Sequence, residues 1–453
     1  MLALTLQEIA AVCGGRLTEG DPTAVIAAVS TDTRTLRAGE LFVGLRGERF
    51  DGGEHAARAV AQGARAVMVE ARSAPELTDV AARIVVADTR FALQRLAAEV
   101  RRRAAVKVAA ITGSAGKTAT KDILAALLRP VARVVATSGN LNNEIGVPLT
   151  LLGLEADSEV AVVEMGMRGR SQIRELAAIA QPDVGIITTI APVHLELLGT
   201  MADVAAAKAE LLESLVEGAA VIPADEPLLS PHLDRYAGRV VTFGGPHADV
   251  RLVDEERQGE STWVTIDAFG RREEMVFSFT GSHYLHDAMA AVAAFVELGY
   301  GLGEAREGAA QVAFSDLRGA LARLPGNGLL LNDAYNANPV AMMAAVDHLV
   351  AIADGRPAVA VLGDMYELGP QANDYHRAVG EHCAAAGVRL VAVGELARDM
   401  LVGASDESWC ATVEECLPAL PQLVPQGSAV LVKASRALRL ERVAEALRGD
   451  GDA

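Results

Sequence analysis

The segment from Ile111 to Asp122, with the sequence ITGSAGKTATKD, is the first place where residue types and spacing suit chemistry. An apolar run from Val106 leads into it, and an alanine- and leucine-rich helical pattern follows it. Where a strand passes through a glycine loop into a helix, backbone N–H groups and the helix dipole favour a phosphate group. Lys117 is long enough to reach terminal phosphates, and the Thr118 hydroxyl can ligate Mg²⁺. We therefore predict a phosphate loop whose nucleotide contacts are Gly113, Ser114, Ala115, Gly116, Lys117 and Thr118.

The spacing of this loop differs from the standard pattern. Only two residues separate Gly113 from Gly116, whereas four separate the glycines of the usual phosphate loop. An ordinary strand-to-helix turn is the alternative interpretation. The Gly-Lys-Thr sequence between a predicted strand and a predicted helix favours a shortened phosphate loop.

Two metal-ligand candidates follow other apolar runs. Glu164 ends the run from Val160, and His194 comes shortly after the run from Val184 to Ile190. Because ligands of open α/β sheets bind beyond the carboxyl ends of the strands, both side chains are expected beside the phosphate loop. We predict that Glu164 holds Mg²⁺ and that His194 ligates a metal or contacts phosphate. The alternatives are a surface acid and a structural histidine.

Lysine is scarce in this chain. Only five of the 41 basic residues are lysines, at positions 107, 117, 121, 208 and 433. Arginine can neither deprotonate nor act as a compact point charge, so a lysine retained in such a background is a candidate for chemistry. Lys208, in a helical pattern from Met201 to Leu215, is therefore a candidate, with a solvated helix lysine as the alternative.

Two loops are rich in amide side chains. The first spans residues 139–148 and the second residues 332–339, each after a predicted strand. Amides donate and accept hydrogen bonds, which suits base edges and peptide groups, although turn chemistry before Pro339 is the alternative. Because the two loops fall in different predicted domains, we expect them to face a shared interdomain site.

The elements that must position these residues form three blocks, and the length of 453 residues exceeds what one core supports. Residues 1–104 alternate strand and helix patterns, which indicates a small α/β domain. Residues 105–315 contain apolar runs typical of buried parallel strands, and then period-two alternation over 249–280 that predicts antiparallel strands. Residues 316–453 indicate a second, Rossmann-like doubly wound unit. The predicted central strands are Val106–Thr112, Val160–Met165, Val184–Ile190 and Ala219–Pro223.

Composition excludes several classes of protein. A net charge of −18 with no basic patch argues against a nucleic-acid partner. The four cysteines lack metal-type spacing, which favours free thiols in a reducing compartment. The N-terminus has no signal-peptide pattern, and no apolar run reaches the length of a membrane span. We expect a cytoplasmic protein.

Seven segments together resemble the Mur ligases, and the resemblance covers nearly the whole chain. Residues 140–146 and 335–339 are the most member-specific of these segments, and they resemble the members that add D-alanyl-D-alanine. The segments, in chain order, are 111–122, 137–148, 164–168, 194–199, 207–210, 333–339 and 361–369.

This resemblance implies a reaction. An ATP-dependent, ADP-forming amide ligase would transfer the γ-phosphoryl group to the peptide carboxylate of UDP-N-acetylmuramoyl-tripeptide. The amine of D-alanyl-D-alanine would then displace phosphate, in a step of peptidoglycan precursor synthesis. The resemblance also implies Mg²⁺, a carbamylated Lys208 and a monomer, with the uridine nucleotide on the first domain and ATP on the central one.

The resemblance further assigns roles to residues. Lys117 would stabilise the β- and γ-phosphates, Thr118 and Glu164 would hold one Mg²⁺, and His194 a second. Lys117, His194 and Lys208 would form the catalytic set. The remaining nucleotide contacts would be Asn143, Asp287, Arg318 and Asp333, of which Asp333 would bind the ribose. The substrate contacts would be Thr31, Asp32, Thr33, Arg34, Arg46, Asp51, Asn140, Asn142, Tyr335, Asn336 and Asn338.

The chain departs from the family pattern at three places. Tyr284 and Asp287 replace two asparagines that often follow the hairpins. Arg318 matches the family's arginine near the third-block boundary only with a one-residue shift. Ala434 and Ala437 stand where glycines are usual. These changes leave two alternatives open. One is a related amide ligase that adds another amino acid or acts on a folate, and the other is a nucleotide-binding paralogue with reduced catalysis.

Overall fold

The computed structural model describes residues 1–47, 50–72, 82–215, 217–403 and 407–449. Three large sheets follow one another along the chain, one inside each predicted block. The predicted three-domain α/β architecture is confirmed, whereas the boundaries at 104/105 and 315/316 stay predictions. No helix among the described residues is both long and apolar enough to cross a membrane.

The first block carries a five-stranded sheet in the order β2-β7-β6-β5-β4, in which only the β2–β7 pair is antiparallel. Its helices pack their apolar faces on the sheet, and Asp88 begins α3 by accepting from the Phe91 N–H at 2.9 Å. The strands are β1 (Leu4–Thr5), β2 (Arg16–Glu19), β3 (Val25–Ile26), β4 (Val29–Ser30), β5 (Leu41–Val43), β6 (Ala66–Glu70) and β7 (Arg83–Val86). The helices are α1 (Leu6–Val12), α2 (Ala56–Ala61) and α3 (Thr89–Arg103).

The second block carries a nine-stranded sheet in the order β16-β15-β14-β13-β12-β11-β8-β10-β9. The strands from β9 to β14 are parallel neighbours, and β14, β15 and β16 are antiparallel, as the alternation over 249–280 predicts. The strands are β8 (Lys107–Thr112), β9 (Val134–Ala136), β10 (Val160–Glu164), β11 (Val184–Ile187), β12 (Ala219–Pro223), β13 (Arg239–Phe243), β14 (Val250–Gln258), β15 (Ser261–Ala268) and β16 (Arg271–Phe277).

The helices of this block cover both faces of the sheet, and α4 packs against α10 in a core of alanine and leucine side chains. They are α4 (Lys117–Leu128), α5 (Gly146–Leu151), α6 (Gln172–Ala180), α7 (Leu195–Leu198), α8 (Met201–Ala209), α9 (Ser230–Leu233), α10 (His283–Glu297) and α11 (Ala305–Ala309). The helix predicted over Met201–Leu215 ends as α-helix at Ala209 and continues as a 3₁₀ segment, Glu210–Ser214. The Glu210 carboxylate there accepts from the Ser171 N–H at 2.6 Å, which ties the tightened turn to the start of α6.

The third block carries a six-stranded sheet in the order β17-β18-β22-β19-β20-β21, with β17 as an antiparallel edge strand. Five strands are therefore parallel, as predicted for a Rossmann-like unit. The strands are β17 (Ala320–Leu324), β18 (Gly328–Asn332), β19 (Ala358–Gly363), β20 (Arg389–Val393), β21 (Glu407–Cys410) and β22 (Ala429–Lys433). The helices are α12 (Pro339–Ala353), α13 (Ala372–Ala385), α14 (Val413–Leu423) and α15 (Glu441–Arg448).

All four cysteines are free thiols and are buried. Cys410 on β21 and Cys416 on α14 share a side-chain hydrogen bond, although their spacing in the sequence does not predict a contact. Burial raises the pKa of Cys13, Cys383 and Cys416 to about 12, which keeps these thiols protonated.

Candidate active site

The predicted phosphate loop lies between β8 and α4 and is held by the neighbouring strand end. The Ser114 N–H donates to Thr189 O at 2.7 Å, and the Ser114 hydroxyl both donates to Ala191 O at 3.0 Å and accepts from the Ala191 N–H at 2.9 Å. Thr188 Oγ1 donates to Ala115 O at 2.5 Å. No side chain caps the start of α4, so its first N–H groups are available to an anion.

Close approach explains both glycines of the loop. A Cβ on Gly113 would lie 1.9 Å from Thr188 Oγ1. Gly116 has a φ of +78°, and a Cβ there would lie 2.1 Å from Asp287 Oδ1. Only glycine fits either position without displacing a neighbour. Asp287, predicted to contact nucleotide, is thus buried against the phosphate-loop backbone, and burial raises the pKa of its carboxyl well above the usual range.

Lys117 folds back over the loop that it follows. Its Nζ donates to Gly113 O at 2.8 Å. Burial lowers the pKa of Lys117, Glu164 opposes that shift, and Arg318 adds to it. An ammonium that is held by a single carbonyl can exchange that contact for the stronger charge-assisted bond to a phosphate oxygen.

Thr118, Glu164 and Asn142 form a continuous hydrogen-bonded chain at the carboxyl edge of the sheet. Thr118 Oγ1 donates to Glu164 Oε2 at 2.7 Å, and Asn142 Nδ2 donates to Glu164 Oε1 at 2.7 Å. Glu164 is 1% exposed, and its backbone N–H donates to Thr137 Oγ1 at 2.9 Å. The structure therefore brings the phosphate loop, the strand-end acid and the first amide loop together.

The donor set at this edge fits a magnesium ion that is shared with a nucleotide. The described residues contain no group of three or more His, Cys, Asp and Glu side chains placed to hold a metal on their own. Mg²⁺ commonly takes one or two protein oxygens and completes its shell with water and substrate phosphates. The Thr118 hydroxyl and the Glu164 carboxylate, within 2.7 Å of each other, offer that kind of oxygen pair beside the loop.

His194 lies immediately before α7 with a left-handed backbone, φ +54°. Its Nδ1 is hydrogen-bonded to a carboxylate oxygen of Glu367, which belongs to the third block. Burial lowers the pKa of His194, the Glu367 carboxylate opposes that shift, and the charges of Lys208 and Lys117 add to it. A half-buried histidine beside two lysines favours the neutral imidazole, which is the form that ligates a metal.

Lys208 is 2% exposed on α8, and no hydrogen bond or ion pair to another described residue satisfies its amine. Burial lowers its pKa well below the usual value, and the nearby charge of Lys117 contributes in the same direction. An unpaired buried ammonium is costly, so burial favours the neutral, nucleophilic form of the amine.

The predicted nucleotide contacts Asp333 and Arg318 have partners within the third block. Lys433 Nζ is bonded to Asp333 Oδ2 at 2.5 Å and to Asn336 O at 3.0 Å. The Arg318 guanidinium lies 4.0 Å from the centre of the Tyr335 ring. The buried Tyr284 stacks near Phe314, and its hydroxyl packs on Gly319, where a Cβ would lie 2.0 Å away. An aromatic side chain thus occupies the position of the expected asparagine.

The amide clusters divide into bonded and exposed members. Asn142 joins the acid at the strand end, as described. Asn143 Oδ1 accepts from the Gly146 N–H at 2.9 Å, and Asn338 Oδ1 caps α12 by accepting from the Ala341 N–H at 2.9 Å. Asn140 and Asn336 are exposed. Turn and cap chemistry, the alternative interpretation, therefore accounts for the oxygens of Asn143 and Asn338, and a shared interdomain role for the two loops stays a prediction.

The predicted uridine-binding residues follow β4 and β5, two parallel neighbours in the first sheet. Arg34 Nη2 is bonded to Asp32 Oδ2 at 2.6 Å, and this bond holds the pKa of Asp32 at about 2. Arg46 Nη1 lies 3.8 Å from Asp51 Oδ2 and 3.9 Å from Glu70 Oε2. Thr31 is half-buried and Thr33 is buried. Residues 48 and 49 of the predicted segment 46–51 lie outside the described residues.

Three residues that sequence reasoning did not assign contact this site. Glu367 is hydrogen-bonded to His194, Thr188 donates to the phosphate-loop backbone, and Lys433 binds Asp333. Lysine scarcity already singled out Lys433, and Glu367 lies in the family-like segment 361–369 without an assigned role. Thr188 carries no signal beyond its place near a strand end.

Comparison with known proteins agrees over all three blocks. Family models match residues 25–101 (Mur ligase family, catalytic domain), 111–295 (Mur ligase middle domain) and 320–436 (Mur ligase, glutamate ligase domain). The chain is similar to the UDP-N-acetylmuramoyl-tripeptide–D-alanyl-D-alanine ligases of Bacillus subtilis, at 35% identity, and Escherichia coli, at 34%. These matches cover 99% of both chains and 100% of both chains, respectively.

Solved structures give the same result. The crystal structure of MurF from Acinetobacter baumannii superposes with a TM-score of 0.89, at 31% identity and covering 99% of both chains. MurF ligase from Thermotoga maritima in complex with ADP has a TM-score of 0.81 at 28% identity, covering 93% of this chain and 97% of that one. A folylpolyglutamate synthase from Mycobacterium tuberculosis has a TM-score of 0.61 at 18% identity, covering 80% of this chain and 93% of that one, which is a likeness of fold alone.

Proposed function

This chain belongs to the Mur ligase family, and we propose that it adds D-alanyl-D-alanine to UDP-N-acetylmuramoyl-tripeptide with conversion of ATP to ADP and phosphate. The observation that carries this proposal is the hydrogen-bonded chain from Thr118 through Glu164 to Asn142, which links the phosphate loop to a member-specific amide loop. Similarity at about a third of positions over the full length to ligases that bear this name supports it. The alternative as a folate ligase rests on a likeness of fold alone.

The proposed reaction has two balanced steps. A peptide carboxylate oxygen of the tripeptide attacks the γ-phosphorus, the bond to the β-phosphate bridging oxygen breaks, and ADP leaves. The free amine of D-alanyl-D-alanine then attacks the carbonyl carbon, phosphate leaves with its bonding pair, and the nitrogen loses a proton. The residues that act on these steps lie at one edge of the central sheet, which favours orientation and fixed charge as the sources of catalysis.

The chain's own groups divide these tasks. The N–H groups at the start of α4 bind the phosphates, and Lys117 moves from Gly113 O to stabilise charge as the γ-phosphoryl group transfers. Thr118 and Glu164 would hold one Mg²⁺ and His194 a second; when bound, these ions would neutralise charge on the phosphates. The remaining nucleotide and substrate contacts keep the assignments that the family resemblance implies, with the uridine nucleotide on the first sheet.

Lys208 is proposed to be carbamylated. Its neutral amine nitrogen would attack CO₂, forming an N–C bond and releasing one proton, which converts a buried amine into a carboxylate equivalent. The support is the buried position without a partner and the lowered pKa. An anion at this position would oppose the positive charges of Lys117 and the metal ions. ATP dependence and buried free thiols further support a cytoplasmic location, and a monomer is proposed with it.

The direct test is release of phosphate from ATP by the purified enzyme. We expect release to require both UDP-N-acetylmuramoyl-tripeptide and D-alanyl-D-alanine, and to be absent in Lys117→Ala at an unchanged melting temperature. A folded enzyme that releases no phosphate with both substrates present would support the paralogue with reduced catalysis. Release with a different amino acid or with a folate would support the related ligase.

A further inference from the structure

A loop of the third block lies directly against the metal-ligand candidate of the second. This loop, residues 364–369, follows β19 and contacts the turn before α7. A Glu367 carboxylate oxygen is bonded to His194 Nδ1, and Glu367 O accepts from the Glu196 N–H at 3.4 Å. A Cβ on Gly369 would lie 3.3 Å from the nitrogen of Glu196. Main chain and side chain therefore meet across the boundary between the two sheets.

Both partners of the side-chain contact have an unusual backbone. His194 has a φ of +54° and Glu367 a φ of +64°, the left-handed region that non-glycine residues rarely adopt. Such a residue is strained, and it persists where the surrounding structure determines it. Neither His nor Glu relieves this strain as glycine would, so the side chains themselves are the reason for these residues at these positions.

The chemistry of the contact selects one form of the imidazole. A carboxylate oxygen only accepts, so a neutral His194 must carry its proton on Nδ1. Nε2 then has a free lone pair, and no hydrogen bond to another described residue occupies it. A carboxylate on one nitrogen orients a histidine ring and raises the basicity of the other nitrogen.

We propose that Glu367 is a positioning residue, supplied by the third sheet, which holds His194 in the Nδ1–H tautomer when that sheet is docked. The tautomer of His194 at the edge of the central sheet then depends on docking of the third sheet, which carries Glu367. The other oxygen of the Glu367 carboxylate lies 3.9 Å from Arg168 Nε, which restricts movement of the carboxylate away from His194. The consequence for ligation rests on the proposed function, whereas the tautomer does not.

The tautomer can be read without any substrate. In enzyme labelled with ¹⁵N-histidine, long-range ¹H–¹⁵N spectra at pH 8 distinguish Nδ1–H from Nε2–H, and His194→Gln identifies the His194 signals. We expect Nδ1–H in the wild-type protein and loss of that form in Glu367→Asn, which tolerates the left-handed backbone and keeps the fold. Glu196→Gln, two residues from His194, is the matched control and should leave the signals unchanged.

A second pair of variants tests the dependence on docking. Gly369→Ala adds a methyl group toward Glu196 while leaving Glu367 in place, and Gly387→Ala adds one at the same φ of +68° with nothing within 4 Å. We expect Gly369→Ala to shift His194 toward Nε2–H and Gly387→Ala to leave it unchanged. Equal effects would mean that backbone strain alone is responsible, and the docking claim would fail.

Kinetics separate positioning from direct substrate contact. We expect Glu367→Asn to lower kcat by about tenfold to a hundredfold and to raise the Mg²⁺ requirement, at a nearly unchanged KM for D-alanyl-D-alanine. A raised KM for the dipeptide with an unchanged tautomer would overturn the proposal, because Glu367 would then bind substrate. An enzyme inactive with every substrate would refute the proposed function alone, since the spectra still decide the tautomer.

Discussion

Thr118 Oγ1 donates to Glu164 Oε2 at 2.7 Å, which joins the first turn of α4 to the last residue of β10. The two residues are 46 positions apart in the chain, and the parallel pairing of β10 with β8 brings them together. Asn142 occupies the other Glu164 oxygen. A hydroxyl and a carboxylate so placed offer Mg²⁺ two oxygens beside the nucleotide phosphates.

Glu164→Gln should lower kcat by about a hundredfold and raise the Mg²⁺ concentration needed for half-maximal rate. Glutamine keeps the hydrogen-bonding shape but loses the charge that attracts the ion. Initial ligation rates measured against free Mg²⁺ check this, with Glu175→Gln on the exposed side of α6 as the control. An unchanged Mg²⁺ profile would remove Glu164 from the metal site.

Gly116→Ala should weaken ATP binding at least about tenfold and lower the free energy of unfolding by about 1–3 kcal/mol. The methyl group would lie 2.1 Å from Asp287 Oδ1 at a backbone φ of +78°. Calorimetry with ATP and thermal unfolding measure the two effects. Gly259→Ala has a similar φ of +63° with nothing within 4 Å, and it should cost stability without affecting ATP. Asp287→Ala in the Gly116→Ala background should restore part of the loss.

Patterns that depend on neighbours in the sequence predicted the structure well. Apolar runs identified the parallel strands of the central sheet, and period-two alternation identified the antiparallel strands that follow. Strand β13 was missed because it is partly exposed and its polar residues Arg239 and Thr242 interrupt the apolar run. Lysine scarcity pointed to Lys208 and Lys433, both of which are buried, and their chemical roles stay predictions. Lysine scarcity also selected Lys107, whose Nζ donates to the backbone oxygen of Leu298 at 2.7 Å and lies outside the candidate site.

Contacts between distant segments could not be predicted from the sequence. Glu367 meets His194 across 173 positions, and no local pattern encodes which strand-end loops face each other. For the amide side chains, the sequence could not distinguish neighbours that have different roles. Asn142 and Asn143 are adjacent and chemically equal, yet one binds Glu164 and the other begins α5. Backbone geometry, which single-sequence patterns do not resolve, decides between those roles.

Carbamylation of Lys208 predicts rescue by small acids. Lys208→Ala should be nearly inactive and should regain part of its rate with formate or acetate, which can occupy the place of the carbamate. Lys208→Arg should stay inactive with or without added acid, because guanidinium remains cationic and cannot take up CO₂. Ligation assays of both variants decide this, with Lys107→Arg as a variant that keeps its activity. A fully active Lys208→Arg enzyme would exclude the carbamate.

Lys208→Met should raise stability at pH 7.5 in CO₂-depleted buffer while abolishing ligation. The lysine is protonated in the unfolded chain but has a lowered pKa when buried, so the unfolded state binds more protons and the wild-type protein gains stability as pH rises. The advantage of the variant should therefore shrink by about 1.4 kcal/mol per pH unit between the lowered pKa and about 10.4. Denaturant unfolding at several pH values measures this. Bicarbonate should stabilise only the wild-type protein, and equal stability at all pH values would contradict a buried neutral amine.

Transfer of oxygen from the substrate carboxylate to phosphate distinguishes ligation through an acyl phosphate from other routes. UDP-N-acetylmuramoyl-tripeptide labelled with ¹⁸O in its terminal carboxylate is incubated with ATP, Mg²⁺ and D-alanyl-D-alanine, and the released phosphate is analysed by mass spectrometry. We expect one ¹⁸O atom in each phosphate, because the carboxylate oxygen attacks the γ-phosphorus and leaves with it. Product formation with unlabelled phosphate would contradict ATP-driven ligation through an acyl phosphate.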